Sequence, residues 1–172
     1  MSEASAGSAR NEPRRLTLIA CCGAHSVQDG LGAVLYVLLP VLAQSLGLSY
    51  AQVGVIRAAN HGAMMALEIP SGLLAERFGE RGLLGFGLLC AALGFFFLAA
   101  SGGFVGAVMA LTIAGVGAAF QHALCSSLIS QAYADGTRRT ALGTYNSFGD
   151  VGKLTFAGLF GLLLGFASWP EV

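Results

Sequence analysis

The sequence predicts an all-α integral membrane protein with five transmembrane helices. Of its 172 residues, 55% are hydrophobic and only 10% are charged, whereas charged residues make up about a quarter of a typical soluble domain. The stretch from Gly82 to Ser101 has no charged side chain, and about 20 apolar residues suffice to cross a bilayer. These observations disfavour a soluble helical bundle. A net charge of zero argues against a nucleic-acid partner.

Five apolar segments follow a polar N-terminal tail. Residues 1–15 are small and polar, so we expect a disordered cytoplasmic tail there. The transmembrane domain covers 16–172. Its first, fourth and fifth segments exceed the length of a perpendicular span, so we expect those helices to tilt or protrude. The predicted segments are about 16–46, 51–74, 82–101, 104–133 and 141–169.

The basic residues outside these segments all lie on one side of the predicted topology. The tail, the turn after segment two and the loop after segment four carry them, whereas residues 47–50 and 101–103 include no Lys or Arg. The positive-inside rule therefore predicts a cytoplasmic N-terminus in a multi-pass protein of the plasma (inner) membrane, with Trp169 in the outer aromatic belt. The basic residues are Arg10, Arg14, Arg15, Arg77, Arg81, Arg138 and Arg139.

Several polar side chains interrupt the apolar segments near mid-membrane. A charged residue in the hydrocarbon costs about 2.5–3.5 kcal/mol on insertion scales, so such residues usually face a bundle interior or a water-filled cavity. Polar groups at one depth on different helices predict a shared polar centre, read as a substrate or ion pathway. The predicted pathway residues are His25, Gln28, Asp29, Asn60, His61, Asn146, Asp150 and Lys153.

The same residues have a structural interpretation as interhelical hydrogen bonds and ion pairs that hold the bundle together. Asp150 and Lys153 are spaced i, i+3 and can pair within their own helix, whereas the charged partner of Asp29 would lie on another helix. Gln121 and His122 lie deeper toward the cytoplasm by residue count, so they are left out of the predicted pathway.

Motifs for catalysis and cofactor binding are missing from the sequence. There is no HExxH, GxSxG or CxxC pattern, so we expect no enzyme activity, no cofactor and no metal. The four cysteines lie in apolar segments and are interpreted as small packing residues. The GxxxG pairs Gly102/Gly106 and Gly161/Gly165 predict close helix packing.

A charged turn, Gly72-Leu-Leu-Ala-Glu-Arg-Phe-Gly-Glu-Arg81, separates segments two and three. It resembles motif A of the major facilitator superfamily, and it occupies the motif's expected place in the cytoplasmic loop between helices two and three. Pro70 also fits, whereas Glu80 stands where a basic residue is usual. The matching positions are Gly72, Leu74, Ala75, Glu76, Arg77, Gly79 and Arg81.

The resemblance implies a transporter of a small solute that works by alternating access, with two six-helix halves rocking around a central site. Helices one, two, four and five would line the cavity or the interface between the halves, and helix three would lie outside. Motif A would form a conformational latch with Asp135 as the candidate partner of its arginines. The predicted latch residues are Gly72, Glu76, Arg77, Gly79, Arg81 and Asp135.

Further sequence features bear on which branch of the superfamily the chain resembles. Drug–proton antiporters often carry Arg where this chain has Leu111, and a proline motif where it has Gly149 to Lys153, so proton-coupled drug export of that type is disfavoured. The spacing of His25 and Asp29, followed by Leu-Leu-Pro40, weakly resembles the fosmidomycin-resistance branch.

Five segments correspond to an incomplete N-terminal six-helix half, so the sequence predicts a part of a larger or split transporter. The predicted partners are the lipid bilayer, a small-molecule substrate, protons as a candidate coupling ion and the missing C-terminal half. The alternative is a non-transporting membrane interaction protein or a truncated fragment.

Overall fold

The structure is a computed structural model, and it describes residues 3–134 and 136–167. Within those residues every regular element is an α-helix, which confirms the predicted all-α class. The five helices correspond one to one to the predicted segments. They are α1 (Glu3–Ser45), α2 (Tyr50–Phe78), α3 (Glu80–Ala99), α4 (Phe104–Ala132) and α5 (Arg138–Leu163).

Three of the helical stretches are long and apolar enough to cross a membrane by length and composition. They are Glu12–Ser45, Glu80–Ala99 and Phe104–Ala132. Helices α2 and α5 carry many of the chain's polar side chains and fall short of that hydropathy. The prediction that they also span the membrane stays a prediction.

Helix α1 begins earlier than the sequence predicts. The structure extends it to Glu3, over most of the segment predicted to be a disordered tail. Alanines alternate with polar residues in this stretch, and alanine has the highest helix propensity of any residue. The structure and the prediction therefore differ over residues 3–15.

The charged turn after α2 is almost wholly helical. Helix α2 runs on to Phe78 and α3 starts at Glu80, so Gly79 alone separates them. Gly79 has a φ of 83°, a left-handed conformation that glycine adopts without a steric penalty. The predicted membrane segments end at about 74 and begin again at about 82, whereas the helices continue through this stretch and are interrupted only at Gly79.

The fifth helix is displaced from its prediction at both ends. It begins at Arg138 and ends at Leu163, and irregular turns follow as far as Ala167. The predicted segment was 141–169. Trp169, predicted to lie in the aromatic belt, is outside the described residues.

Close packing joins α1 to α5, and α4 to both α2 and α3. Glycines make these approaches possible, because a Cβ atom at Gly117 would collide with the backbone of α3 and one at Gly152 would collide with the backbone of Ser26. The predicted GxxxG pairs do not serve this purpose. Gly102 and Gly161, for example, face open space.

The apolar core lies in layers at the two ends of the bundle. One cluster joins Leu38 and Leu42 of α1 with Leu111 of α4, toward the predicted outer side. Two others, which include Cys21 and Phe120, lie toward the predicted cytoplasmic side. The polar residues of the predicted segments lie between these layers.

Candidate functional site: a polar cavity at mid-bundle

A cavity of about 380 Å³ opens between the apolar layers. Its walls come mainly from α1, α2 and α4, with Lys153 contributed by α5 and Phe95 by α3. Five of the eight predicted pathway residues line it, together with one residue that the sequence prediction left out. These six are Gln28, Asp29, Asn60, His61, Lys153 and His122.

Asp29 lies at the junction of three helices. Its Oδ2 atom is 3.0 Å from Nζ of Lys153 on α5. Its Oδ1 atom is 3.5 Å from Nε2 of His122 on α4 and 3.7 Å from Nδ1 of His25 on α1. Only 9% of the Asp29 side chain is exposed. A buried carboxylate is costly unless charged or hydrogen-bonding groups surround it. The three side chains that surround Asp29 are all ionisable.

Lys153 is shared between two carboxylates. Its ammonium group is 3.0 Å from Asp29 and 3.1 Å from Oδ1 of Asp150, which confirms the predicted i, i+3 pairing within α5. Lys153 is 51% exposed and Asp150 is 74% exposed. The ammonium group can therefore move from the buried carboxylate to the exposed one with only a small change in its side chain.

The ring of His25 is held on two sides. The Gln121 amide contacts Nδ1 of His25, with its Nε2 atom at 3.0 Å and its Oε1 atom at 3.3 Å, and the amide nitrogen donates to the hydroxyl of Tyr145 over 2.9 Å. The Tyr145 ring stacks on the His25 ring at a centroid distance of 4.1 Å. His122 meets His25 edge to face at 5.1 Å. The imidazole next to Asp29 is thus fixed in orientation.

Gly149 brings α5 against this group. A Cβ atom at that position would collide with the His25 ring and approach Oδ2 of Asp29 to 2.9 Å. Ser26 strengthens the same contact, because its hydroxyl donates to the carbonyl of Phe148 over 2.7 Å. Any residue larger than glycine would hold Lys153 farther from its buried partner.

Gln28 has an unsatisfied atom beside the cavity. The residue is 7% exposed and its Oε1 has no hydrogen-bond partner among the described residues. A buried polar atom without a partner costs about 1–3 kcal/mol, and such groups in native structures call for an explanation. The Gln28 amide offers an acceptor to whatever occupies the cavity.

Helix α2 contributes two polar side chains to the cavity, and one of them also binds α4. Asn60 donates from Nδ2 to the carbonyl of Leu111 over 2.8 Å, which ties α2 to α4. His61 also lines the cavity. Arg57 lies over the Tyr36 ring, 4.1 Å from its centroid, so its positive charge is partly balanced by the aromatic face.

The sequence prediction missed some members of this site. His122 and Gln121 were excluded because residue counting placed them nearer the cytoplasm, but that difference amounts to about 5 Å along the axis, a gap that long side chains span. Asn146 is exposed on α5 and does not line the cavity. The stacking partner Tyr145 had no signal in the sequence beyond its place in an amphipathic helix.

The predicted latch residues that the structure describes lie at the C-terminal end of α2, at Gly79 and in the first turn of α3. Glu76, Arg77 and Arg81 are exposed, and among the described residues none of them forms an ion pair. A Cβ atom at Gly72 would face open space. Asp135, the proposed partner, lies outside the described residues.

Glu80, the residue that departs from motif A, has the best-defined contacts in this region. Its carboxylate accepts hydrogen bonds from the Ser127 hydroxyl at 2.5 Å and from Nε2 of Gln131 at 2.9 Å. These bonds fasten the first turn of α3 to the last turns of α4. An acidic side chain in this position therefore has a local structural role.

A bundle of long apolar helices around a polar cavity with buried ionisable groups is the architecture of a membrane transporter. The sequence profile of the Major Facilitator Superfamily matches residues 21–172, so the chain belongs to this superfamily of membrane transport proteins. The resemblance based on motif A is thereby confirmed at the level of the superfamily. Among curated proteins, none matches the chain.

Proposed function

We propose that the chain takes part in transport of a small solute by alternating access, with the mid-bundle cavity as its binding site. The observation that carries the proposal is the Asp29 carboxylate, which is buried beside the cavity and contacted from α1, α4 and α5. Ionisable groups at membrane depth usually mark substrate or ion pathways.

Exchange of Lys153 between Asp29 and Asp150 provides a switching element. When Lys153 pairs with Asp29, the buried carboxylate is neutralised and α5 is held against α1. When a proton or a solute cation neutralises Asp29, Lys153 is free to pair with Asp150 alone. The two arrangements differ in how tightly α5 is bound, which is the difference that an alternating-access cycle requires.

A partner half would cover the exposed polar face of α5. Asn146, Asp150 and Lys153 share that face, and all three are exposed. Lipid is a poor solvent for an exposed carboxylate, whereas the facing half of a transporter or a water-filled cleft accommodates it. This supports an arrangement in which five spans, with a cytoplasmic N-terminus and the motif A latch inside, work with further helices.

The transport proposal is tested with the full chain in proteoliposomes, alone and after co-expression with the reading frame downstream of it. Solid-supported membrane electrophysiology on a panel of small anions, cations and neutral solutes measures the flux. We expect a saturable signal for one class, and its reduction by about tenfold or more in Asp29→Asn at equal protein incorporation. Glu12→Gln, an exposed carboxylate elsewhere on α1, is the matched control.

Two outcomes contradict transport. One is the lack of saturable flux in both preparations. The other is an Asp29→Asn variant that transports as well as the original chain. A stoichiometric crosslinked membrane partner whose binding is indifferent to Asp29 and Lys153 favours the alternative function, a non-transporting interaction protein.

A further inference from the structure

Two of the chain's three histidines meet the carboxylate of Asp29 in one corner of the cavity. We propose that His25, Asp29 and His122 form a binding site for a divalent transition-metal cation of the zinc, cobalt and nickel class. The claim concerns binding, so it does not depend on whether the chain transports the ion.

The distances between the donor atoms fit a metal. One donor atom from each of His25, Asp29 and His122 lies within 4.8 Å of the others, and Oδ1 of Asp29 is 3.5 Å from Nε2 of His122. Metal–ligand bonds of about 2.0–2.2 Å place neighbouring ligand atoms about 3–3.5 Å apart. A small rotation of the His25 side chain closes the remaining gap.

The donor set selects the class of metal. Two imidazoles and one carboxylate, with positions left open, suit zinc and other first-row divalent ions, whereas calcium and magnesium prefer sites made of oxygen atoms alone. All three residues are on long helices, so the backbone holds the donors at fixed depth. The cavity supplies space for water or a further ligand at the open positions.

The surroundings of His25 resemble the outer shell of a metal site. Ligating histidines are usually oriented by a hydrogen bond at the second ring nitrogen. The Gln121 amide contacts Nδ1 of His25, and Tyr145 stacks on the ring. Ligation of a metal through Nε2 of His25 requires the tautomer in which Nδ1–H donates to Oε1 of Gln121, which lies 3.3 Å away.

Gln28 lies beside the same corner of the cavity. It is adjacent to Asp29 in sequence, is more than nine-tenths buried and lines the cavity. Its Oε1 atom has no hydrogen-bond partner among the described residues. Rotation of the Gln28 amide would bring this acceptor toward a ligand in the cavity.

Lys153 is the natural competitor of the metal. Its ammonium group lies 3.0 Å from Oδ2 of Asp29, and a second positive charge cannot approach the same carboxylate without strong repulsion. Asp150 provides the alternative partner at 3.1 Å. The proposal therefore makes a directional prediction, because removal of the Lys153 charge should strengthen metal binding while removal of the Asp29 charge should weaken it.

The test is a Co²⁺ titration of the full chain, purified without a polyhistidine tag and placed in lipid nanodiscs. Visible d–d absorption reports binding, and the band of cobalt–thiolate charge transfer reports any ligation by cysteine. We expect nitrogen and oxygen ligation. We also expect affinity about tenfold or more weaker in Asp29→Asn and in His122→Ala, because loss of even an outer-shell group of a metal site typically costs about 10–100-fold, and severalfold tighter in Lys153→Gln.

Glu12→Gln serves as the matched control and should bind Co²⁺ as the original chain does. His122 is 43% exposed, so its replacement tests ligation with little risk to folding, and circular dichroism verifies the helix content of each variant. The proposal is overturned if Asp29→Asn and His122→Ala bind as tightly as the original chain, if Lys153→Gln binds more weakly, or if a thiolate band appears. Transport assays have no bearing on these readouts.

Discussion

The ammonium group of Lys153 bridges Asp29 on α1 and Asp150 on its own helix, at 3.0 Å and 3.1 Å. One carboxylate of this triad is buried and the other is exposed. Lys153 thus forms ion pairs both with a carboxylate inside the cavity and with one on the exposed face of α5.

Replacing Lys153 by Met should destabilise the bundle, because Asp29 then stays buried without its cation. The expected loss is about 1 kcal/mol in the free energy of unfolding, modest because half of the Lys153 side chain is exposed and screened. Thermal unfolding in detergent, followed by circular dichroism, measures the effect. The double variant with Asp29→Asn should recover most of the loss. Equal melting temperatures for the single and double variants would show that the unpaired Asp29 carboxylate is not the cause of the loss.

Replacing Gly149 by Ala should weaken the contact between α1 and α5. The added methyl group meets the His25 ring and Oδ2 of Asp29, so the helices must separate, and overpacking of this kind typically costs about 1–3 kcal/mol. Gly158→Ala on the same helix is the matched control, because its Cβ atom faces open space. An alanine there should stabilise the helix slightly. Indistinguishable melting temperatures for the two variants would contradict the observed packing.

Replacing Tyr145 by Phe should loosen the support of His25. The ring stack survives, but Gln121 loses the hydroxyl that accepts its hydrogen bond at 2.9 Å, a loss worth about 1 kcal/mol. Unfolding in mixed micelles of increasing SDS content measures it. Tyr36→Phe, which alters an exposed tyrosine, should leave the unfolding midpoint in place. A larger shift in Tyr36→Phe than in Tyr145→Phe would refute the assignment.

Replacing Glu80 by Gln should let the start of α3 separate from the end of α4. The bonds from Ser127 and Gln131 lose their charged acceptor, and hydrogen bonds to charged groups are roughly twice as strong as neutral ones. Hydrogen–deuterium exchange read by mass spectrometry should be faster near residues 80–83 and 127–131. Glu76→Gln, an exposed carboxylate one turn earlier, should not change it. Unaltered exchange in Glu80→Gln would mean that these bonds are dispensable.

The sequence analysis succeeded best where one helix could be judged alone. The predicted fourth segment, 104–133, agrees with α4 to within one residue, because its polar boundaries and unbroken apolar run are local properties. The pairing of Asp150 with Lys153 was likewise predictable from spacing on a single helix. The sequence analysis interpreted the charged stretch around Gly79 as a loop, whereas in the structure all of its residues except Gly79 are helical.

The convergence of the predicted pathway residues has a different physical reason. Polar residues inside apolar segments converge because lipid solvates them poorly, so five of eight predicted residues line the cavity. The pathway residues were chosen by predicted depth in the membrane alone. That criterion excluded His122, which lines the cavity, and included Asn146, which does not. The rotation of each helix about its axis decides which of two residues at similar depth faces inward, and that rotation is set by the neighbouring helices.

By itself, the sequence determined that the chain is a bundle of apolar helices and that it belongs to a transporter superfamily. Composition, segment length and motif A are properties of the linear sequence and can be recognised without knowing which helices are in contact. Only the tertiary structure decided that Asp29 meets Lys153 and two histidines, that Glu80 binds α4, and that Gly149 permits the approach. These contacts join residues on different helices, and their geometry depends on how helices cross and rotate against one another, which hydrophobic periodicity does not specify.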